Sequence, residues 1–273
     1  MLDVLLINID STMLNNSIDV KKETPPLGLM YLAASLEKYD YSVNIYDIRL
    51  SQKFLGKIIK KVKKLKPQII GISIYTNGYI YTKHVINILK MIFKEDIKIV
   101  VGGPHVTTYP QIVQDNPNID FAVIGEGENT IVELANHLIR KKGNLKKICG
   151  ITYLDNGKQI FTEKRTMEMS LEKFDYPARH LVDLSMYEWP GGIISSRGCP
   201  GRCIFCAAPY LSMGKYRRRN VKNIVSEVAY IVEKYNIRYI NFLDDTFTAS
   251  KNQTNWKKAR EFKKELATTI EIR

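Results

Sequence analysis

The chain has 273 residues, 45% of them hydrophobic, which is enough length for about two domains and enough apolar material for a core, and so excludes a disordered chain. Its 41 Lys and Arg against 28 Asp and Glu give a net charge of +13, but no aromatic ribonucleoprotein motif, zinc finger or long basic tail accompanies the charge, so nucleic acid is not an expected partner. No apolar run approaches the roughly 20 residues of a membrane span, and Met1 to Ile7 lead straight into a strand pattern with no signal peptide ahead of it, so a cytoplasmic protein that does not use a membrane is expected.

Val4-Leu-Leu-Ile-Asn8 predicts a short buried strand, and Pro25 to Lys38 a helix opened by proline with apolar residues on a helical period. Ser42 to Asp47 is the next strand. The segment from Lys53 to Lys66 places Phe54, Leu55, Ile58, Ile59, Val62 and Leu65 at helical spacing with lysines on the other faces, as an amphipathic surface helix does. Its lysines read as a solvated face, with nucleic-acid contact as the alternative. Gln68 to Ser73 carries no charge, as suits a central parallel strand. A helix near Lys83 to Phe93, a strand from Ile97 to Val101, a strand from Phe121 to Ile124 and a helix from Thr130 to Arg140 complete the set. Five strands alternating with helices predict a doubly wound, Rossmann-like parallel sheet.

Ligands of such sheets sit beyond the carboxyl ends of the strands. The segments there are Ser73-Ile-Tyr-Thr76, Gly102-Gly-Pro-His-Val-Thr107 and Gly125-Glu-Gly-Glu128. Glycine lets backbone amides come close to a ligand, so Ser73, Thr76, Gly102, Gly103, Gly125 and Glu126 are candidate binding residues. His105 alone reads as a capping or surface histidine.

Residues 148 to 165 predict a hairpin turned at Asp155-Asn-Gly157 that extends the first domain. The stretch from Phe174 to Pro190 lacks periodicity and reads as a linker, with His180 a surface or interface residue in it. Ile193 to Ser196 predicts the first strand of a second domain, Val221 to Tyr235 a helix with Ile224, Val228, Ile231 and Val232 on one face, and Tyr239 to Leu243 a second strand ending at Asp244-Asp-Thr-Phe247. The two aspartates there also suit a helix amino-terminal cap, and Arg217 to Arg219 a solvated basic turn. The expected division is residues 1–147, a hairpin and linker over 148–190, and 191–273.

Between the first strand and helix of the second domain lies Arg197-Gly-Cys-Pro-Gly-Arg-Cys-Ile-Phe-Cys206, with three of the four cysteines of the chain in eight residues. Three thiolates on one loop can hold three irons of a 4Fe-4S cluster and leave the fourth iron open. A structural zinc would need a fourth ligand from Cys149, His84, His105, His137 or His180, none at finger-like spacing. A disulfide suits so tight a cluster of cysteines less well than metal does. Cys199, Cys203 and Cys206 are therefore the candidate metal ligands.

The spacing C-x3-C-x2-C with Phe205 before the last cysteine resembles the cluster loop of the radical S-adenosylmethionine enzymes. The order Pro-Pro-Leu-Gly-Leu, Gly-Ile-Ser, Val-Gly-Gly-Pro-His and Ile-Gly-Glu-Gly-Glu ahead of it resembles the amino-terminal cobalamin-binding-type domain of one large branch of that family. The resemblance implies a 4Fe-4S cluster whose open iron chelates S-adenosylmethionine, reductive cleavage to a 5'-deoxyadenosyl radical, a reductant such as flavodoxin or ferredoxin, oxygen sensitivity, and methyl transfer or cyclisation of a small-molecule substrate. It places Phe205 against the adenine, Asp244 and Asp245 near the amino or ribose groups, and Arg217 to Arg219 near the cofactor. The D-x-H-x-x-G signature of some cobalamin proteins is absent after the first strand, where Asp10 to Asn15 stand. Either a corrinoid binds with no histidine ligand or the domain keeps the fold without it. After an expected helix at Trp256 to Leu266, Thr269 to Arg273 open a third strand of the partial (βα) barrel. The family's barrels continue further, so a truncated chain is expected. Such a chain is expected to be inactive alone, to need a complementary carboxyl-terminal half or a homo-oligomer, or to act as a non-catalytic binding module.

Overall fold

The computed structural model describes residues 1–9, 23–50, 54–247, 260–262 and 264–265. The described residues form two compact units, one of residues 1–9, Pro26–Met167 and Pro177–Met186, the other of Glu23–Pro25, Glu168–Tyr176 and the chain from Tyr187 onward.

In the first unit the chain runs β1 (Val4–Asn8), α1 (Leu27–Glu37), β2 (Val43–Asp47), α2 (Phe54–Leu65), β3 (Ile69–Ser73), α3 (Tyr79–Phe93), β4 (Lys98–Gly102), α4 (Pro104–Thr108), α5 (Ile112–Asp115), β5 (Phe121–Val123), α6 (Glu128–Leu138), β6 (Ile151–Asp155) and β7 (Lys158–Phe161). One seven-stranded sheet results, in the order β2-β1-β3-β4-β5-β6-β7. The first five strands are parallel, and the β6–β7 hairpin joins antiparallel at the β5 edge. The chain thus reverses direction of winding between β1 and β3, which is where doubly wound sheets open a crevice at their carboxyl ends.

Strands covered on both faces read as unbroken apolar runs. Val4, Leu5, Leu6 and Ile7 are all fully buried. Leu5, Ile7, Ile70, Ile72, Ile99 and Val101 pack in one core with Ile58 and Val62 of α2 and Val85, Ile86 and Leu89 of α3. Each such side chain contributes about 1.5–3 kcal/mol on leaving water. The lysine helix follows its sequence pattern, with Lys57, Lys60, Lys63 and Lys64 exposed opposite Ile58 and Val62. In the hairpin, Asn156 and Gly157 both have positive φ, 49° and 76°, the backbone that a two-residue turn between antiparallel strands requires.

The second unit contains β8 (Gly192–Ile193), β9 (Ser196–Arg197), α7 (Ala208–Leu211), β10 (Arg217–Arg218), α8 (Val221–Tyr235) and β11 (Asn241–Phe242). The single strand expected over 193–196 is two short ones, because Ile194 and Ser195 leave β8 before β9 pairs antiparallel with β10. Strands β8 and β11 are parallel neighbours joined through α8, a strand-helix-strand unit. Asn220 caps α8, its side chain accepting from Asn223 N at 2.8 Å, and Asn236 ends it in the left-handed region. Ile224, Val228 and Ile231 pack on Ile193. The expected helix of 256–266 is described only at 260–262 and 264–265, where it is helical. Asp10 to Asn15 and the strand expected from Thr269 lie outside the described residues. Among the described residues no helix is long and apolar enough to cross a membrane.

Candidate functional site

Two groups of candidate residues stand at strand ends, one in each unit. In the first unit, Ser73 closes β3 and Gly102 closes β4 in register with it. The segments beyond them are tied together: Ile74 N donates to Gly102 O at 2.8 Å and His105 N donates to Ile74 O at 3.1 Å. Gly103 makes this close approach possible. Its φ is +97°, and a Cβ there would stand 2.7 Å from Ser73 Oγ and 3.0 Å from Ile74 N, so no larger residue fits without movement. Gly125 beyond β5 also has positive φ, +85°, but a Cβ there would meet nothing within 4 Å. That edge is open, and its Gly125 amide donates to Thr107 Oγ1 at 3.0 Å while Thr107 donates to Gly103 O at 3.1 Å. Thr107 thereby joins the β4 and β5 segments. Thr76 is exposed and Glu126 half-buried beside them.

His105 is not the surface or capping residue its sequence position suggests. It is buried, its Nδ1 shares a hydrogen bond with Thr76 Oγ1 at 3.1 Å, and its ring lies 4.6 Å from that of Tyr79. Burial lowers its pKa and keeps the imidazole neutral. Its Nε2 and the Tyr79 hydroxyl are buried without a protein partner. At the neighbouring strand ends Asn8 donates to Asp47 at 3.2 Å, and Arg49 pairs with the same carboxylate at 2.6 Å. Neither Thr107 nor this polar trio carried a sequence signal beyond being short polar residues at strand ends. His180, expected at the surface or an interface, is half-exposed and hydrogen-bonds Glu37 at 2.9 Å.

In the second unit the cysteine loop is the excursion between β9 and β10, closed where Arg197 pairs with Arg217. Gly198 enters it at φ +87°, with Lys215 O and Ser212 in the space a Cβ would need. Cys199 is half-buried, and Cys203 and Cys206 are exposed. Gly201 N donates to Cys199 Sγ at 3.4 Å, and Cys206 N to Cys203 O at 3.1 Å. No three His, Cys, Asp or Glu among the described residues converge on a single metal ion. A multi-iron cluster makes a different demand, one thiolate for each iron that the protein ligates, and three free thiols on one loop, that of Cys199 with an amide donor to its sulfur, suit three irons of a 4Fe-4S cluster. Ile204 and Phe205 between them are fully and nine-tenths exposed, so the Phe205 ring stands free for a planar ligand.

Asp244 and Asp245 follow β11 and turn to this loop. Asp244 accepts from Ser195 N at 2.7 Å, Ser196 N at 3.0 Å and the Ser195 hydroxyl. Asp245 accepts from Gly198 N at 3.1 Å, and the Thr246 hydroxyl lies 3.0 Å from Cys199 Sγ. The aspartates thus hold the start of the loop. Nor is the 217–219 stretch a solvated turn: Arg217 and Arg219 are buried. Arg219 pairs with buried Glu227 of α8 and donates to Ile194 O at 3.0 Å, while Arg217 donates to Glu168 O at 2.7 Å. A basic run reads as solvated until the acids and carbonyls that neutralise it, distant in sequence, are known.

Comparison with known proteins agrees with both halves. Residues 16–135 match the B12 binding domain family and residues 193–273 the radical SAM superfamily. An uncharacterized methyltransferase of Pyrococcus horikoshii is 35% identical, over 84% of this chain and 50% of its own length. The cytidylyl-2-hydroxyethylphosphonate methyltransferase of Streptomyces wedmorensis is 28% identical, over 90% of this chain and 55% of its own. The chain therefore spans about half the length of the curated relatives it matches. The solved structure of the radical S-adenosylmethionine methyltransferase TsrM from Kitasatospora setae, with cobalamin and a [4Fe-4S] cluster bound, superposes with a TM-score of 0.75 at 19% identity, over 96% of this chain and 51% of that one. At that identity the likeness is one of fold.

Proposed function

Since the chain belongs to the radical SAM family, in the branch with a B12-binding domain ahead of the cluster loop, we propose that it takes part in methyl transfer to a small-molecule substrate, with a 4Fe-4S cluster and S-adenosylmethionine in the second unit and cobalamin on the first. Bound together, these groups supply one-electron cleavage of S-adenosylmethionine, given an external reductant, and a carrier for the methyl group. The observation that carries the reading is the cysteine loop itself, three free thiols held between paired strands and tied by Asp244 and Asp245 to the end of a parallel strand.

Cys199, Cys203 and Cys206 are the ligands in this reading. Asp244 and Asp245 fix the loop entrance and are positioning residues, since their carboxylates are engaged by Ser195, Ser196 and Gly198. Phe205 offers its exposed face for stacking. In the first unit the open edge at Gly125, the exposed Thr76 hydroxyl and Ser73 suit an uncharged, amide-rich ligand. His105 follows β4 rather than β1, where the histidine-bearing signature would stand, and its ring is buried with Nδ1 engaged by Thr76. A corrinoid on this edge would have no ligand from that histidine. The names of the two relatives support methyl transfer as the reaction class.

Anaerobic reconstitution with iron and sulfide tests the reading. The expected result is a full 4Fe-4S complement with its charge-transfer absorption, perturbed on adding S-adenosylmethionine, and uptake of hydroxocobalamin without a protein-nitrogen hyperfine pattern in the reduced cobalt state. Stoichiometric zinc in place of iron would overturn the cluster assignment. No corrinoid uptake at micromolar concentration would leave the first unit a fold without that cofactor.

A further inference from the structure

The three cysteines differ in what surrounds their sulfurs. Cys199 Sγ has two hydrogen-bond partners, Gly201 N at 3.4 Å and Thr246 Oγ1 at 3.0 Å, while Cys203 and Cys206 are exposed. Thr246 comes from 47 residues away in sequence, and its placement is over-determined. Asp244 clamps Ser195 and Ser196, Asp245 clamps Gly198, and Ser196 Oγ reaches Thr246 O at 3.4 Å. All of these bonds join the corner after β11 to the residues that lead into Cys199, so they hold the Thr246 backbone beside that sulfur.

The Thr246 hydroxyl has one proton and two neighbours that could take it, Asp245 O at 2.8 Å and Cys199 Sγ at 3.0 Å. A protonated thiol can donate to the hydroxyl oxygen, leaving the hydroxyl proton on the carbonyl. A metal-bound thiolate has no proton to give. The hydroxyl then turns its own proton to sulfur, and the carbonyl of exposed Asp245 is left to water. Hydrogen bonds to an ionised acceptor are the strong ones, and donors to the sulfurs are among the determinants of a cluster's potential.

We propose that Thr246 is a positioning residue that sets the reduction potential of the cluster on this loop by donating to Cys199 Sγ. The inference rests on the cluster assignment above. One-electron reduction adds negative charge to the cluster and its thiolates, so a donor at sulfur stabilises the reduced state more than the oxidised one and raises the potential. Removing it makes the cluster harder to reduce. Cys203 and Cys206 lie on the exposed part of the loop, so the effect enters through Cys199.

The test reconstitutes the full chain and its Thr246→Val, Thr246→Ala and Thr246→Ser variants anaerobically, counts iron and sulfide, then titrates each with dithionite against redox dyes and reads the reduced cluster by electron paramagnetic resonance. At the potential where the parent is half reduced, Thr246→Val and Thr246→Ala should show a reduced-to-oxidised ratio about tenfold lower, a shift of about 59 mV for one electron. Thr246→Ser, which keeps the hydroxyl, should stay near the parent. Full clusters with unchanged midpoints in Val and Ala would overturn the proposal. So would loss of loading in both with Ser intact, which would make the hydroxyl a requirement for assembly instead. A parent that takes up no iron would refute the cluster reading itself, a separate outcome.

Discussion

At the carboxyl edge of the first sheet, Ser73, Gly102 and Gly125 are placed by strands that are covered on both faces and paired along their length. In the second unit, Cys199 is placed by strands two residues long and by side chains that reach across some fifty residues of sequence to backbone amides. The first arrangement depends on many interchangeable apolar contacts, so single changes are spread over a large core. The second depends on a few specific hydrogen bonds, each worth about 0.5–1.5 kcal/mol net but about 1–3 kcal/mol when a buried partner is left unsatisfied. The sheet edge should therefore tolerate substitution where its rim is open, as at Gly125, and resist it where strand ends pack closely, as at Gly103, while the loop should fail at named atoms.

The largest contrast lies in the cysteines. Replacing Cys199, Cys203 or Cys206 with Ala should abolish the reconstituted cluster signal, while Cys149→Ala should leave it intact, because Cys149 belongs to the first unit with its sulfur near Lys147 O at 3.9 Å. Iron analysis and electron paramagnetic resonance check this. Loss of the cluster in Cys149→Ala would show that the two units share a centre and would dissolve the comparison.

Glycines sharpen it within the first unit. Gly103→Ala forces both a strained positive φ and a clash with Ser73 and Ile74, for a cost of about 2–3 kcal/mol in a denaturant titration of the full chain. Gly125→Ala has the φ without the clash and should cost about 1 kcal/mol. Equal effects would mean that the β3–β4 junction relaxes freely. In the second unit, Asp244→Asn should destabilise by about 1–3 kcal/mol. Hydrogen exchange should show the loss as faster exchange at Ser195 and Ser196, with the β1, β3 and β4 amides unchanged.

The same difference explains what was legible in the sequence. Periodicity and charge-free runs locate β1, β2, β3, α1, α2 and α8 to within a residue or two, because burial of one or both faces writes itself into local pattern. The Asn-Gly turn is equally local. The cysteine triad is legible as chemistry, since ligand spacing on one loop is a local property. What lies around it is not. Arg217 and Arg219 look like solvent-facing charge until Glu168 O, Ile194 O and Glu227 are brought to them, and the hold of Asp244 on Ser195 and Ser196 has no local pattern. Thr107 and Thr246 have no pattern of their own, as their partners lie 18 and 47 residues away. His105 was misplaced for the same reason: the Tyr79 ring packed against it is contributed by α3, ahead of β4 in the chain.

The smallest expected effect is a pH dependence confined to the first unit. Burial lowers the pKa of His105 in the folded chain, whereas the unfolded chain returns it to about 6.5. Above that value the imidazole is neutral in both states and contributes no slope. As the pH falls below it, the unfolded chain takes up a proton that the folded chain refuses, so stability declines until the folded group also titrates at its lower pKa. Among the described residues the ring meets Thr76, Tyr79 and Tyr109, and burial sets the direction of the shift. His105→Gln removes the titration while keeping a hydrogen-bonding group toward Thr76. Denaturant titrations of both proteins between pH 7.5 and pH 5 should converge at the upper end and lose stability more steeply in the parent below about pH 6.5. Parallel curves over that range would mean that water reaches the ring and keeps its pKa ordinary, and the β3–β4 edge would then be as open at His105 as it is at Gly125.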